Sequence, residues 1–294
     1  MPENNLTASP GQRFRDLLDQ RGLMIPGAFN PLVAKMLAAK GAQALYLSGA
    51  AFSAAQLALP DVGLFTLSEL AEETRRISRA ANLPLLVDAD TGFGEALSVE
   101  RTMRDLEAAG AAAIQLEDQV SPKRCGHLSG KSLVDVETMT AKIRAAAAAR
   151  RDPTTVILAR TDARGVTNFD DAVARARAYI AAGADAIFPE ALESRDEFAT
   201  FRREISAPLI ANMTEFGKTP ALTMKDWQEL GYNGVLFPVT LLRVAMKSVE
   251  QAADELLQQG TQTSILKQMQ TRQELYDLLD YRGYEKRDRD YFQG

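Results

Sequence analysis

Eight short apolar runs, each followed by a stretch with helical spacing, constrain this chain more than any other feature. The runs are Leu23–Pro26, Ala44–Leu47, Leu83–Asp88, Ala112–Leu116, Thr155–Ala159, Ala184–Phe188, Pro208–Ala211 and Gly234–Phe237. Runs of this length suit parallel strands covered on both faces. Between them, Leu67–Ala81 opens after Thr66, an N-cap residue type, and Val136–Arg150 carries the strong helix former Ala145–Ala149. Ser98–Ala109 stops at Gly110 and Asp170–Ala182 stops at Gly183, as helices closed by a left-handed residue do. The phrases AAGAAAIQLED and AAGADAIFPE repeat one pattern of helix end, glycine and buried strand.

Repeated β/α units of this number predict an α/β fold, a (β/α)8 TIM barrel. The alternative, an open doubly wound sheet, is disfavoured because no Gly-rich dinucleotide fingerprint follows the first strand. At 294 residues, the chain fits a single barrel domain over 1–294 with a helical extension from about 258. That extension is expected to run as a helix over Ile265–Asp280 and to pack on a neighbouring subunit.

Charge and cysteine content narrow the partners. The net charge is −5 and no Lys/Arg block occurs, so no nucleic acid is expected as partner. No segment approaches the roughly 20 apolar residues of a membrane helix. The N-terminus is polar, with neither an apolar h-region nor an Arg-rich presequence pattern. One cysteine, Cys125, allows no intrachain disulfide, which suits a reducing, cytoplasmic setting. The last four residues, Tyr291 to Gly294, resemble part of a protease-tag scar.

Active sites of such barrels lie at the C-terminal ends of the strands. There this chain places Tyr46, Ser48 and Gly49 after strand two, Asp88 and Asp90 after strand three, and Glu117 after strand four. Arg160 follows strand five, Glu190 strand six, Asn212 and Thr214 strand seven, and Pro238 strand eight. Spacing i, i+2 on a strand puts Asp88 and Asp90 on one side. With Glu117, and Asp61 in support, they make an all-oxygen set that suits Mg2+. Zinc is disfavoured, since the chain has one Cys and one His.

The segment Lys123-Arg124-Cys125-Gly126-His127 holds that only Cys and only His. Flanking cations favour the thiolate, and Cys125 reads as a nucleophile, a general acid or an inert buried thiol. Gly126 permits close backbone approach. Arg160 reads either as a carboxylate clamp or as a structural ion pair. Tyr46 reads as a base, an electrophilic donor or a satisfied core residue.

The combination YLSG, LPD, VDADTGFG, IQLEDQ, PKRCGH, ARTDA, FPEA and ANMTEFGKTP resembles the isocitrate lyase/phosphoenolpyruvate mutase superfamily, from about Leu23 to Tyr281. KRCGH resembles the lyase side of that superfamily and its close relatives, and MTEFGKTP and MQTRQELYD (Met269–Asp277) are similar to the lyases of the methylcitrate cycle. The resemblance implies a barrel with its eighth helix swapped between subunits, a homotetramer built as a dimer of dimers, and Mg2+ as cofactor. It implies a small di- or tricarboxylate substrate, with 2-methylisocitrate cleaved to pyruvate and succinate in propionate catabolism. Alternatives within the superfamily are a carboxyphosphonoenolpyruvate phosphonomutase, an oxaloacetate decarboxylase and a dimethylmalate lyase.

By the same resemblance, Asp88 and Asp90 hold the metal with Asp61 and Glu117 in support. Ser48, Gly49, Ala50, Lys123, Arg124, Gly126, His127, Arg160, Glu190, Asn212, Thr214 and Pro238 surround the substrate, and Cys125 is the catalytic acid. Ala50 departs from the SGG found in some members but keeps the backbone donors.

Overall fold

The computed structural model describes residues 8–124, 126 and 130–292. Among these, β1 (Leu23–Pro26), β2 (Leu45–Leu47), β3 (Leu85–Asp88), β4 (Ala113–Glu117), β5 (Val156–Thr161), β6 (Ala186–Pro189), β7 (Ile210–Asn212) and β8 (Gly234–Phe237) alternate with helices. The helices up to β8 are α1 (Pro10–Asp19), α2 (Pro31–Ala39), α3 (Gly49–Leu57), α4 (Leu67–Ala81), α5 (Ala96–Ala109), α6 (Val136–Ala149), α7 (Ala163–Val166), α8 (Phe169–Ala181), α9 (Arg195–Glu204) and α10 (Met224–Glu229). Every strand pair is parallel, in the orders β2-β3-β4-β5-β6 and β7-β8-β1. Single parallel bridges, Gly27 to Tyr46 and Ile187 to Leu209, join the two sheets at both seams. The strands therefore follow one another around a ring, as the eight-unit reading requires.

Alternation along the strands sorts the side chains. Ile25, Tyr46, Leu86, Leu158, Phe188, Ile210 and Leu236 form an inner cluster. Their neighbours Leu47, Val87, Ile114, Ile157, Ile187 and Ala211 join the larger layer between strands and helices. Phe14 and Leu18 of α1 also belong to the inner cluster. They cap one mouth of the barrel, and each buried side chain stabilises by roughly 1.5–3 kcal/mol. The sequence reading had no helix here. Its signal was Ser9 before Pro10, and Ser9 Oγ accepts from the Gln12 N–H at 3.2 Å.

Helix ends follow their local chemistry. Thr66 and Glu69 form a reciprocal capping box at α4. Gly110 and Gly183 sit at φ 100° and 116°, so both predicted stops are left-handed.

The chain divides into two compact units, Met1–Thr240 and Leu241–Gly294. The second contains most of α11 (Thr240–Gln259), a 3-10 turn (Thr263–Gln268), α12 (Arg272–Leu278) and α13 (Tyr281–Phe292). The single helix expected over Ile265–Asp280 is thus broken. Met269 is extended at ψ 144°, and Thr271 starts a new helix through a capping box with Glu274. Capping strength there outweighs the apolar period that suggested continuity.

Candidate active site

Inward alternation brings the strand-end polar groups to one rim. Asp88 pairs with Gln115 and Glu117 with Arg160 in the strand register. Tyr46, Asp88, Asp90, Glu117, Arg160 and Glu190 are all buried.

Asp88 is saturated with donors. Its Oδ2 accepts from the Tyr46 hydroxyl at 3.2 Å and the Gly49 N–H at 3.1 Å. Its Oδ1 accepts from Gln115 Nε2 at 2.9 Å and the Asp90 N–H at 3.2 Å. Gly49 opens α3, and a Cβ there would stand 3.0 Å from Asp90 Oδ1 and 3.2 Å from Asp88 Oδ2, so a larger residue would press on both carboxylates. Ser48 is the N-cap, Oγ accepting from the Ala51 N–H at 3.4 Å, and Ala50 lies in the first turn. The Gly49 N–H is therefore committed to Asp88.

Asp90 converges on the site by a different route from the one the spacing implied. Strand β3 ends at Asp88, and Asp90 adopts φ 47°, a left-handed conformation that costs a non-glycine residue roughly 1–2 kcal/mol. A turn, not strand periodicity, aims its carboxylate. Lys123 Nζ lies 2.9 Å from Asp90 Oδ1 and also pairs with Asp61. Lys123 is thus the charge that meets Asp90, and neither Asp90 oxygen accepts from a backbone N–H or a neutral side chain. Both Glu117 oxygens share this state, although Arg160 Nη1 stands 3.1 Å from Oε2.

Charge and burial oppose each other here. Burial, with Asp88 adding to it and Lys123 opposing, pushes Asp90 up to about 7. Burial likewise raises Glu117 well above the usual carboxylate range, against the pull of Arg160 and Lys123. For Lys123, burial would lower the ammonium, but Asp90, Glu117, Asp88 and Asp61 outweigh it and hold it protonated. Tyr46 is raised well above its ordinary value by burial and then by Asp88. Of the open readings for Tyr46, this favours the protonated donor.

These residues fit a hydrated Mg2+. Asp61, Asp88, Asp90 and Glu117 crowd one ammonium and a shared guanidinium, and buried carboxylate oxygens lacking hydrogen bonds are costly without a cation. Among the described residues, no three His, Cys, Asp or Glu side chains form a cage sufficient by themselves. Mg2+ does not need one, since it keeps several waters and takes one or two carboxylates. Asp90 has the open lone pairs for this role, whereas those of Asp88 are filled.

Arg160 is held on three sides. Its Nε and Nη2 donate to Asp162 at 2.9 and 3.0 Å, and Nη2 lies 3.4 Å from Glu190. Of the two readings of Arg160, the structure shows the structural ion pair, at the rim beside Gly126. A Cβ on Gly126 would come within 2.6 Å of Glu190 Cγ, which explains glycine there. Glu190 Oε2 also accepts from Asn212 Nδ2 at 3.3 Å. Thr214 follows β7, and the Pro238 carbonyl packs on Gly27. The Arg124 side chain is exposed, its backbone tied to Gln119. Cys125 and His127 lie outside the described residues. Beside Asp90 and Lys123 opens a cleft of about 380 Å³, walled also by Phe93, Gln119 and Lys142.

Two groups escaped the sequence reading. Gln115 is fully buried and joins Tyr46 to Asp88, accepting from the Tyr46 hydroxyl at 3.0 Å. Its signal was an amide inside an otherwise apolar strand run. Beneath the rim, Asp118 accepts from Tyr179 at 2.7 Å, Thr161 Oγ1 at 2.8 Å and the Asp162 N–H at 2.9 Å. Tyr179 lies on α8, and nothing local in the sequence joins it to Asp118.

Residues 14–257 match the family model described as phosphoenolpyruvate phosphomutase. The chain belongs to the phosphoenolpyruvate phosphomutase family. Within this family, a 2-methylisocitrate lyase of Aeropyrum pernix is 56% identical over 280 residues, 95% of this chain and 90% of the relative. A solved 2,3-dimethylmalate lyase, a member of the PEP mutase/isocitrate lyase superfamily, superposes with a TM-score of 0.90 at 33% identity, covering 97% of this chain and 96% of that one. Phosphonopyruvate hydrolase in complex with oxalate and Mg2+ gives a TM-score of 0.87 at 31% identity, covering 97% and 100%. The superfamily resemblance carried by VDADTGFG and PKRCGH is borne out.

Proposed function

We propose that this chain is a carbon–carbon lyase that cleaves 2-methylisocitrate to pyruvate and succinate in the methylcitrate cycle. The carrying observation is the buried rim where Asp90 and Glu117 keep open carboxylate oxygens beside Lys123 and Arg160. The 56% identity to a 2-methylisocitrate lyase supports that substrate over those of the more distant structural neighbours.

In this reading Asp90 holds Mg2+, with Glu117, Asp61 and Asp88 in support. Bound Mg2+ lowers the pKa of a substrate hydroxyl and polarises its adjacent carboxylate. Asp88 is oriented for that support by Tyr46, Gln115 and the Gly49 N–H. Arg160, shared among three acids, offers a guanidinium to a substrate carboxylate, Gly126 and His127 bind the succinate portion, and Glu190, Asn212 and Thr214 line the pocket. Cleavage passes the hydroxyl proton to a water at the Asp90 rim, moves the O–H electron pair into the new pyruvate carbonyl and moves the C–C pair onto the succinate carbon. That carbon takes its proton from Cys125. Stabilising the doubly charged aci-carboxylate that forms on the succinate fragment falls to Arg160 and the loop donors.

The same reading makes the enzyme a cytoplasmic homotetramer. Among the described residues no helix is long and apolar enough to cross a membrane. The deciding test is a coupled pyruvate assay on 2-methylisocitrate with Mg2+ and again with EDTA. Chelator-sensitive pyruvate release with equal succinate is expected. No release, with turnover of 2,3-dimethylmalate or oxaloacetate instead, overturns the substrate.

A further inference from the structure

Lys131 has no place in the chemistry above, yet it is among the most buried charges in the molecule. Its side chain is 1% exposed, and its Nζ stands 2.6 Å from Asp162 Oδ1, itself fully buried. The same Nζ donates to the backbone carbonyl of Gly126. One ammonium therefore ties two parts of the rim. On one side is Asp162, whose two oxygens fork onto Arg160 Nε and Nη2. On the other is the backbone of the segment that follows β4.

Both anchors of Lys131 are themselves constrained. The Asp162 N–H donates to Asp118, which Thr161 and Tyr179 hold from below. Gly126 is seated against Arg160 and Glu190 without room for a Cβ. Lys131, Asp162 and Arg160 thus form an alternating chain of charge whose free end grips Gly126. A structural pair alone would need only Asp162. The second bond, to a carbonyl five residues earlier in the chain, is what sets the distance between Gly126 and Arg160.

We propose that Lys131 is a positioning residue, fixing the Gly126 backbone against the Arg160–Asp162 pair so that this backbone and the guanidinium act on one substrate. The proposal rests on the reading of this rim as the active site. It does not depend on which 2-hydroxy acid is cleaved.

Cys125 gives a readout separate from turnover, because it precedes Gly126 and is the only cysteine in the chain. The experiment compares the wild type with Lys131→Met and Lys131→Arg. Thiol modification by Ellman's reagent, kcat and KM for 2-methylisocitrate, and the thermal midpoint are measured on each. Arginine keeps the charge for the buried Asp162, but its longer, planar guanidinium does not reproduce the compact ammonium's reach to both acceptors. It is the informative variant if methionine, by leaving Asp162 unpaired, costs the fold.

The expected result is a several-fold change in the thiol rate and a kcat lower by about 10²-fold, the scale of a 1 Å misplacement, with a smaller change in KM. An added alkylammonium restores part of the turnover of folded Lys131→Met. A folded variant with wild-type thiol rate and kcat overturns the proposal, as does a lower midpoint with neither of the other two changed. A wild type inactive on every superfamily substrate fails the functional reading instead. The thiol rates still decide whether Lys131 holds the segment.

Discussion

The Tyr46 hydroxyl bridges two buried acceptors, reaching Asp88 Oδ2 at 3.2 Å and Gln115 Oε1 at 3.0 Å. Burial, then the Asp88 charge, holds the phenol protonated well above its ordinary range. Tyr46→Phe should remove a donor to a charged acceptor, worth roughly 1.5–3 kcal/mol. We expect kcat/KM to fall about ten-fold or more while the shape of the pH–rate profile stays unchanged. The loss of a limb of that profile on substitution would show instead that Tyr46 titrates as a base.

With Asp90 as the proposed metal ligand, Mg2+ binding should depend on pH. Its carboxyl sits at about 7 against an ordinary 3.8, so the folded chain holds this proton more tightly than the unfolded chain. The stability from this group is complete below the unfolded value and is lost as pH rises through about 7. A metal ligand must be deprotonated, so the cation takes over where the proton leaves. Saturating Mg2+ should therefore raise the thermal midpoint little near pH 5 and substantially above about pH 7.5. Asp90→Asn should abolish that difference and the activity together. Equal Mg2+ stabilisation of the wild type at both pH values would remove Asp90 as the ligand.

The strands were legible because each apolar run is short, continuous and followed by a helix with its own stop, as at Gly110. Asp88, Glu117 and Arg160 were legible because strand alternation alone carries them inward. Asp90 was found for the wrong geometric reason, since its φ of 47° replaces periodicity with a turn. Lys131 and Tyr179 were not legible. Each meets its partner across the fold, 31 positions away for Lys131 and Asp162 and 61 for Tyr179 and Asp118, and no local pattern records such a meeting. Helix α1 hid behind a polar-looking terminus because only Phe14 and Leu18 of its face reach the inner cluster, with Leu17 partly buried beside them.

The role given to Cys125 as the acid makes a sharp demand. A serine in its place keeps size and polarity but cannot deliver a proton of thiol acidity. Cys125→Ser should lose roughly 10²–10⁴-fold in kcat, the usual worth of a general acid. Binding should survive, so succinate should still protect the variant against thermal unfolding in the presence of Mg2+. Near-normal turnover would free Cys125 from the mechanism and leave another group to protonate the succinate carbon.

Assembly is tested at the second unit. Helix α11 carries Val244, Val249 and Leu257 at 61%, 57% and 86% exposure, a concentration of apolar surface uncommon on a chain that stays alone. Beyond it, Tyr276 and Tyr281 stack at 4.6 Å, joining α12 to α13. If these helices complete contacts between copies, ending the chain after Leu257 should convert the proposed tetramer to smaller species. The strands and α1–α10 lie within the first unit, so far-UV dichroism should still report a folded α/β chain. Sedimentation velocity reads the outcome directly. A slower boundary with retained dichroism supports exchange of these helices between subunits. An unchanged boundary places the interface elsewhere and removes the C-terminal helices from assembly.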